Sequence, residues 1–212
     1  MSANTPALPS AVAHVLGPAT WYGWLLIGVF IYLLNVQGNV VPFLQEEFAL
    51  SYRAVSLHSS AIAAGIILVG LLGERVTGRL GRRKTLWLAV GGLAVGTILL
   101  CLAPAPWASI ASCFLIGIFG TLIPAVVTAL LADLHGERRA EAYAGQSIVA
   151  YSFGLAAPLV TGFAIWQGLG WRSAVLLGAV LGVAIALWFR RTAIIEPVPT
   201  AQQTERRLPL AF

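Results

Sequence analysis

The chain has 212 residues, of which 58% are hydrophobic and only 10% are charged. A soluble domain usually carries about 25% charged residues, and a mean hydropathy of +0.86 is too high for a chain that buries a single core. These values exclude an ordinary soluble protein and predict an all-α membrane protein. The net charge of +5 does not indicate nucleic-acid binding, because the basic residues stand in short clusters between apolar runs.

Six apolar runs follow one another, each with roughly the 20 residues that a helix needs to cross ~30 Å of hydrocarbon. Strands are excluded because membrane barrels are built from short alternating segments. We therefore predict a tail over residues 1–20, a six-helix transmembrane bundle over residues 21–189 and a second tail over residues 190–212. The six predicted spans cover residues 21–43, 55–73, 85–103, 107–132, 142–166 and 171–189.

The distribution of Lys and Arg predicts the orientation. When the segments between spans are assigned alternately to the two sides, eleven of the thirteen basic residues fall on one side, and only Arg53 and Arg172 fall on the other. Cytoplasmic loops are enriched in Lys and Arg, so both termini are predicted to be cytoplasmic in the cell inner (plasma) membrane. No basic residue precedes the first span, so a secretory signal is not predicted.

The densest basic stretch is Gly-Arg-Leu-Gly-Arg-Arg-Lys-Thr-Leu at residues 78–86. It resembles the loop between helices two and three of Major Facilitator Superfamily transporters. The family's aspartate falls on Gly78, so the carboxylate that normally helps to lock the cytoplasmic gate is absent. The family's arginines and second glycine fall on the predicted gate residues Arg79, Gly81, Arg82 and Arg83.

Three further stretches resemble the same family in the same order. Residues 114–142 are similar to helix four and its following loop, although the usual arginine falls on Cys113. Residues 154–162 resemble a degraded helix-five signature of antiporters, with Ala157 in place of a glycine, and residues 170–172 resemble the start of helix six. The resemblance implies half of a major-facilitator-type fold, whose usual chain has two six-helix halves with the substrate between them.

Uncharged polar residues provide the candidate substrate site. Tyr32, Asn35 and Asn39 are spaced i, i+3, i+7 on one predicted helix face, and the resemblance implies that helices one and four line the cavity. The alternative is that these groups form hydrogen bonds between helices. A mostly apolar cavity suits a small, lipophilic or weakly polar substrate. The predicted substrate-binding residues are Tyr32, Asn35, Asn39, Thr121, Gln146 and Tyr151.

Few charged or titratable groups fall inside the spans. His58, near the outer end of helix two, is the candidate for proton coupling, although an interfacial histidine is the simpler interpretation. Asp133 is expected near Arg79 or Arg83, because the resemblance places their two loops together at the gate. No nucleophile–base pair, metal cluster or phosphate loop is present, so neither an enzyme nor a cofactor is predicted.

One six-helix half does not enclose a cavity, so we expect a parallel homodimer with a shared central cavity, in contact with membrane lipid. Small residues on helices two and five favour close packing between halves, although they also suit packing within one half. Two Gly-x-x-x-Gly pairs suit either a different, outer-face dimer or packing within one chain: Gly92/Gly96 and Gly178/Gly182. A non-transporting scaffold or regulatory partner, and a fragment of a twelve-helix transporter, are the other interpretations.

Overall fold

The computed structural model describes residues 17–196, so most of both predicted tails lies outside the described residues. Within that range every regular element is a helix, as predicted, and no strand is present. The elements are α1 (Pro18–Glu47), α2 (Tyr52–Leu80), α3 (Arg82–Leu102), α4 (Pro106–His135), a 3-10 helix (Gly136–Arg138), α5 (Arg139–Trp166) and α6 (Trp171–Trp188).

Five stretches of the described chain are long and apolar enough to cross a membrane. One of them, Pro106–Trp166, contains α4, the 3-10 helix and α5. The chain reverses at Gly136, whose φ of +51° lies in the region that glycine adopts most easily. The Tyr143 hydroxyl donates to the Thr128 carbonyl over 3.0 Å, so the start of α5 lies beside the end of α4.

Apart from α6, the helices are longer than the predicted spans, and several segments between them are correspondingly short. Residues 74–84 were expected as a charged loop, but only Gly81 separates α2 from α3. Its φ of +80° turns the chain in one residue. Residues 133–141 are likewise mostly helical. Hydropathy detects only the apolar part of a helix, whereas the backbone hydrogen bonds continue into the charged turns.

The core lies between two groups of helices. α1 packs against α5 and α6, while α4 packs against α2 and α3 as well as α1. The α2–α4 contact is very close: a Cβ atom added to Gly117 would lie 2.4 Å from the Ile62 carbonyl oxygen, and one added to Gly65 would lie 2.7 Å from the Phe114 oxygen. Small residues at this crossing therefore allow two backbones to meet.

Both Gly-x-x-x-Gly pairs pack inside the bundle. Gly92 faces the Phe119 ring of α4, and Gly178 faces Leu33 of α1. Their partners in each motif, Gly96 and Gly182, face the same two neighbouring helices through Ile116 and Val29. These glycines therefore serve contacts within one chain, which is the alternative to an outer-face dimer.

Candidate functional site

Arg82 organises the end of the bundle where α2 meets α3. This first residue of α3 is only 4% exposed. Its guanidinium donates to Asp133 Oδ2 over 2.6 Å and to the Ile195 carbonyl over 2.9 Å. The expectation that Asp133 lies near Arg79 or Arg83 is therefore corrected, since its ion-pair partner is Arg82.

The helix geometry explains this correction. Arg82 follows the turn at Gly81 directly and points toward α4, whereas Arg79 lies on the exposed side of the last turn of α2. Arg83 is one residue further round α3, and its guanidinium donates instead to the Arg190 carbonyl. Predicted gate residues 81 and 82 thus lie in one cluster with Asp133, while Arg79 stays outside it.

Glu196 completes this cluster, and it was not predicted from the sequence. Its carboxylate accepts hydrogen bonds from the backbone amides of Arg82, over 2.8 Å, and Arg83, over 3.2 Å. It therefore caps the start of α3, where amides lack partners in the helix. A carboxylate does reach this loop, although it comes from residue 196 and not from position 78. The contact spans 114 residues, so no local pattern indicates it.

The opposite end of the bundle is held by Arg172, at the start of α6. Its guanidinium pairs with Glu47 of α1, and Nε donates to the Cys101 carbonyl over 2.9 Å. The guanidinium also lies 4.4 Å from the centre of the Trp171 ring, a cation–π geometry. One side chain therefore joins α1, α3 and α6.

Tyr32 is buried, unlike the two asparagines that the sequence grouped with it. It is 2% exposed, and its hydroxyl donates to the Ala174 carbonyl of α6 over 2.8 Å. Asn35 is exposed, Asn39 is half-buried, and the Asn35 amide donates to the Ile31 carbonyl of its own helix. Successive helix positions differ by about 100°, so Asn35 lies about 60° from Tyr32 around the helix. Asn39 lies about two turns beyond Tyr32 along α1.

The other predicted substrate-binding residues are more accessible. Thr121 is half-buried and donates to Gly117 of its own helix, whereas Tyr151 is exposed on α5. Gln146 is half-buried, and its Oε1 atom has no hydrogen-bond partner among the described residues. The same holds for Nε1 of Trp24, whose ring lies against Gly145. Trp24 is not among the predicted site residues, because a tryptophan near the end of a span is typical of the aromatic belt at the membrane surface.

A buried amide and a buried histidine join helices elsewhere. Gln37 donates to Cys113 Sγ over 2.8 Å, linking α1 to α4. His58 is fully buried between α2 and α4, with Nε2 2.8 Å from Ser109 Oγ and Nδ1 3.0 Å from the Val55 carbonyl. His58 is therefore buried inside the contact between these two helices.

Two helices carry long exposed faces, which we call the open faces of α2 and α5. On α5 the exposed residues recur every three or four positions, which is one side of a helix. The small residues expected to join two halves fall into an exposed group and a buried or half-buried group. The exposed residues are Ser59, Ser60, Ala63, Ala64 and Ser152. The buried or half-buried residues are Gly65, Gly145, Ala150 and Gly154. The α5 stripe consists of Ile148 (69% exposed), Tyr151 (70%), Leu155 (71%) and Leu159 (74%).

Comparison with known proteins decides the family. The model of the Major Facilitator Superfamily matches residues 23–211, which is most of the chain. The chain belongs to the Major Facilitator Superfamily. The resemblance found in the loop sequences is thereby confirmed, and members of this superfamily are integral membrane proteins.

The matched relatives of this superfamily chain are transporters or resistance proteins. It is 30% identical over 182 residues to the gentisate transporter of Corynebacterium glutamicum, and the alignment covers 80% of this chain and 39% of the relative. It is 26% identical over 160 residues to the fosmidomycin resistance protein of Escherichia coli K12, and the alignment covers 74% of this chain and 34% of the relative. The chain therefore spans less than half the length of these relatives.

A solved structure shares the fold. The peptide transporter POT in complex with sulfate superposes with a TM-score of 0.68 at 16% identity, covering 89% of this chain and 42% of that chain. This superfamily chain thus has the fold of part of a larger transporter.

Proposed function

We propose that this chain is one half of a secondary transporter that moves a small, lipophilic or weakly polar molecule by alternating access. In this proposal all six α-helices cross the cell inner membrane, and both termini are cytoplasmic. The observation that carries it is the pair of open faces on α2 and α5, in a chain that aligns with only 39% of the gentisate transporter.

The open faces favour a protein neighbour over lipid alone. In its apolar part, α2 is 28% buried, compared with 61% for α1. Tyr151 is near the middle of α5 and is exposed. Its phenol hydroxyl therefore lies on the outside of the bundle, near the middle of this proposed span. An unpaired hydroxyl in hydrocarbon is unfavourable. A second helical unit against α5 would remove this hydroxyl from lipid.

For the second unit we propose a copy of this chain in the same orientation. Halves of this fold are related by an axis along the membrane normal, so both halves point the same way. The eleven-to-two distribution of basic residues gives each copy one strongly preferred orientation. The other possible occupant is a further segment of a longer chain. Cross-linking between single cysteines on the open faces distinguishes a second copy from such a segment.

The proposed substrate site lies between the two units. It is lined by the exposed or half-buried polar residues of α1, α4 and α5: Asn35, Asn39, Thr121, Gln146 and Tyr151. The Oε1 atom of Gln146 is buried and has no hydrogen-bond partner among the described residues, so a substrate hydroxyl that reaches it would find an acceptor. The names of the relatives, a gentisate transporter and a fosmidomycin resistance protein, support a small organic substrate.

Flux into proteoliposomes tests the proposal. The purified protein is reconstituted, and uptake of gentisate, fosmidomycin and a lipophilic dye is followed under inward and outward pH gradients. We expect gradient-dependent flux of at least one probe, and a loss of about tenfold or more for Gln146→Ala. Val180→Ala, at an exposed position of α6 away from the proposed site, is the matched control.

Two outcomes count against the proposal. Flux of no probe under either gradient favours the non-transporting scaffold or regulatory partner. Equal flux for the Gln146 and Val180 variants removes Gln146 from the substrate site but leaves transport in place.

A further inference from the structure

We infer that His58, Ser109 and the Pro106 carbonyl form a proton-binding site between α2 and α4. The inference deepens the proposed function, because a secondary transporter needs a coupling ion, and the described spans contain no buried carboxylate. The site itself rests on three hydrogen-bond distances and can be tested without any measurement of transport.

The first step concerns the tautomer of His58. Its Nδ1 atom lies 3.0 Å from the Val55 carbonyl. A carbonyl oxygen only accepts hydrogen bonds, so Nδ1 carries a proton. In a neutral imidazole the other nitrogen, Nε2, is then an acceptor, and it lies 2.8 Å from the hydroxyl of Ser109.

The second step concerns the single proton of the Ser109 hydroxyl. This oxygen lies 2.8 Å from His58 Nε2 and also 2.8 Å from the Pro106 carbonyl of its own helix. A hydroxyl has one proton to donate and two lone pairs that accept. It therefore donates either to the ring or to the carbonyl, and the choice depends on whether Nε2 is protonated.

Each protonation state has a complete set of hydrogen bonds. With neutral His58, Ser109 donates to Nε2. With protonated His58, Nε2 donates to the Ser109 oxygen, and the Ser109 proton turns to the Pro106 carbonyl. A rotation about one C–O bond converts one arrangement into the other, so a proton enters or leaves without any shift of the helices.

The surroundings make protonation reversible. The hydrogen bonds of His58 and Ser109 go to no charged group. Arg53 is exposed on α2, Glu46 is exposed at the end of α1, and Glu47 pairs with Arg172. The basic residues of α3 are all in its first turn, and on α4 the nearest titratable group, Cys113, is bonded to Gln37. A buried imidazolium without a carboxylate is held weakly, so the proton is readily released.

Nitrogen NMR of ¹⁵N-histidine-labelled protein in lipid nanodiscs tests the site. The chain has three histidines, and His58→Gln assigns the relevant signals. We expect the Nδ1–H tautomer of His58 at high pH and a doubly protonated ring on acidification. Ser109→Ala should reduce the ratio of imidazolium to imidazole at a given pH about fivefold, because a hydrogen bond to a charged group is stronger than one to a neutral group.

Two further variants separate this role from simple packing. Ser109→Thr keeps the hydroxyl and should restore the ratio. Ser112, one turn along α4, is also buried and donates only to the Ala108 carbonyl, so Ser112→Ala should leave the ratio unchanged. An Nε2–H tautomer at high pH, a ring that stays neutral down to the pH of denaturation, or equal effects of the Ser109 and Ser112 substitutions to alanine would each overturn the inference.

The outcome is independent of the flux experiment. A titrating His58 in a protein that transports none of the probes would leave the proton site standing and reject the proposed function. A neutral His58 in a protein with gradient-dependent flux would reject the proton site alone.

Discussion

Tyr32 illustrates how a single side chain changes its meaning once neighbours are known. Its spacing from two asparagines predicted a shared polar face, but α6 supplies a carbonyl acceptor in a direction that a one-helix pattern does not contain. Likewise, the sequence identified Asp133 and the arginines as a group, but choosing Arg82 as the partner required the direction of the turn at Gly81.

Removing the Tyr32 hydroxyl tests its structural role. Tyr32→Phe should lower the free energy of unfolding by about 1 kcal/mol, the usual contribution of a hydrogen bond between membrane helices. Thermal unfolding in detergent, monitored by size-exclusion chromatography, measures the change in stability. Tyr151→Phe is the matched control on the open face of α5, and its thermal stability should equal that of the wild type. Similar losses of stability for both variants would show that the hydrogen bond of Tyr32 to α6 does not stabilise the bundle.

Arg82 provides a second test at this scale. Arg82→Gln removes donors to Asp133 and to the Ile195 carbonyl, and it should destabilise the protein by about 2 kcal/mol. The half-exposed Asp133 can be solvated by water, which keeps the loss below that of a fully buried pair. Arg79→Gln, on the neighbouring exposed turn, should change the unfolding temperature little. If the two arginines behave alike, the described cluster does not hold this end of the bundle.

At the scale of elements, hydropathy predicted an all-helical chain but placed the ends of α1, α2 and α4 too early. The charged ends of α2 and α4 continue as helix because their backbone bonds do not depend on lipid. The spacing of the glycines indicated a helix-packing motif but not which helix it packs against. In the structure, Gly92 and Gly178 pack on neighbouring helices of the same chain. Which helix a small residue meets is a property of the bundle and is absent from any one segment.

The α2–α4 crossing gives the prediction for this scale. Gly117→Ala would place a Cβ atom 2.4 Å from the Ile62 carbonyl oxygen, so the two backbones must separate, at a cost of about 2–3 kcal/mol. Gly70→Ala, on the same pair of helices, meets no atom within 4 Å and should be neutral or stabilising by up to ~1 kcal/mol. Unfolding temperatures of the two variants compare them directly, and an unaffected Gly117→Ala would refute the close crossing.

For the whole molecule, the order of four loop motifs was enough to predict the superfamily, and the all-helical architecture followed from composition. The contacts that close the bundle were not predictable. Glu196 caps α3 and Arg172 ties α1 to α6 across more than a hundred residues of chain, and neither contact leaves a local pattern. The open faces also emerge only from the assembled bundle, because the side of a helix that stays uncovered depends on which helices pack against it.

Cross-linking in native membranes tests the central claim that the open faces meet a second copy of this chain. In a background where Cys101 and Cys113 are replaced by alanine, cysteines are placed at Ser60 on α2 and Ser152 on α5, singly and together. Val95→Cys on α3 and Val180→Cys on α6 are exposed controls on other helices. With a bifunctional maleimide, we expect a dimer-sized product for the positions on α2 and α5 and none for the controls. A dimer through Val95 or Val180 alone, or no dimer at any position, would contradict it.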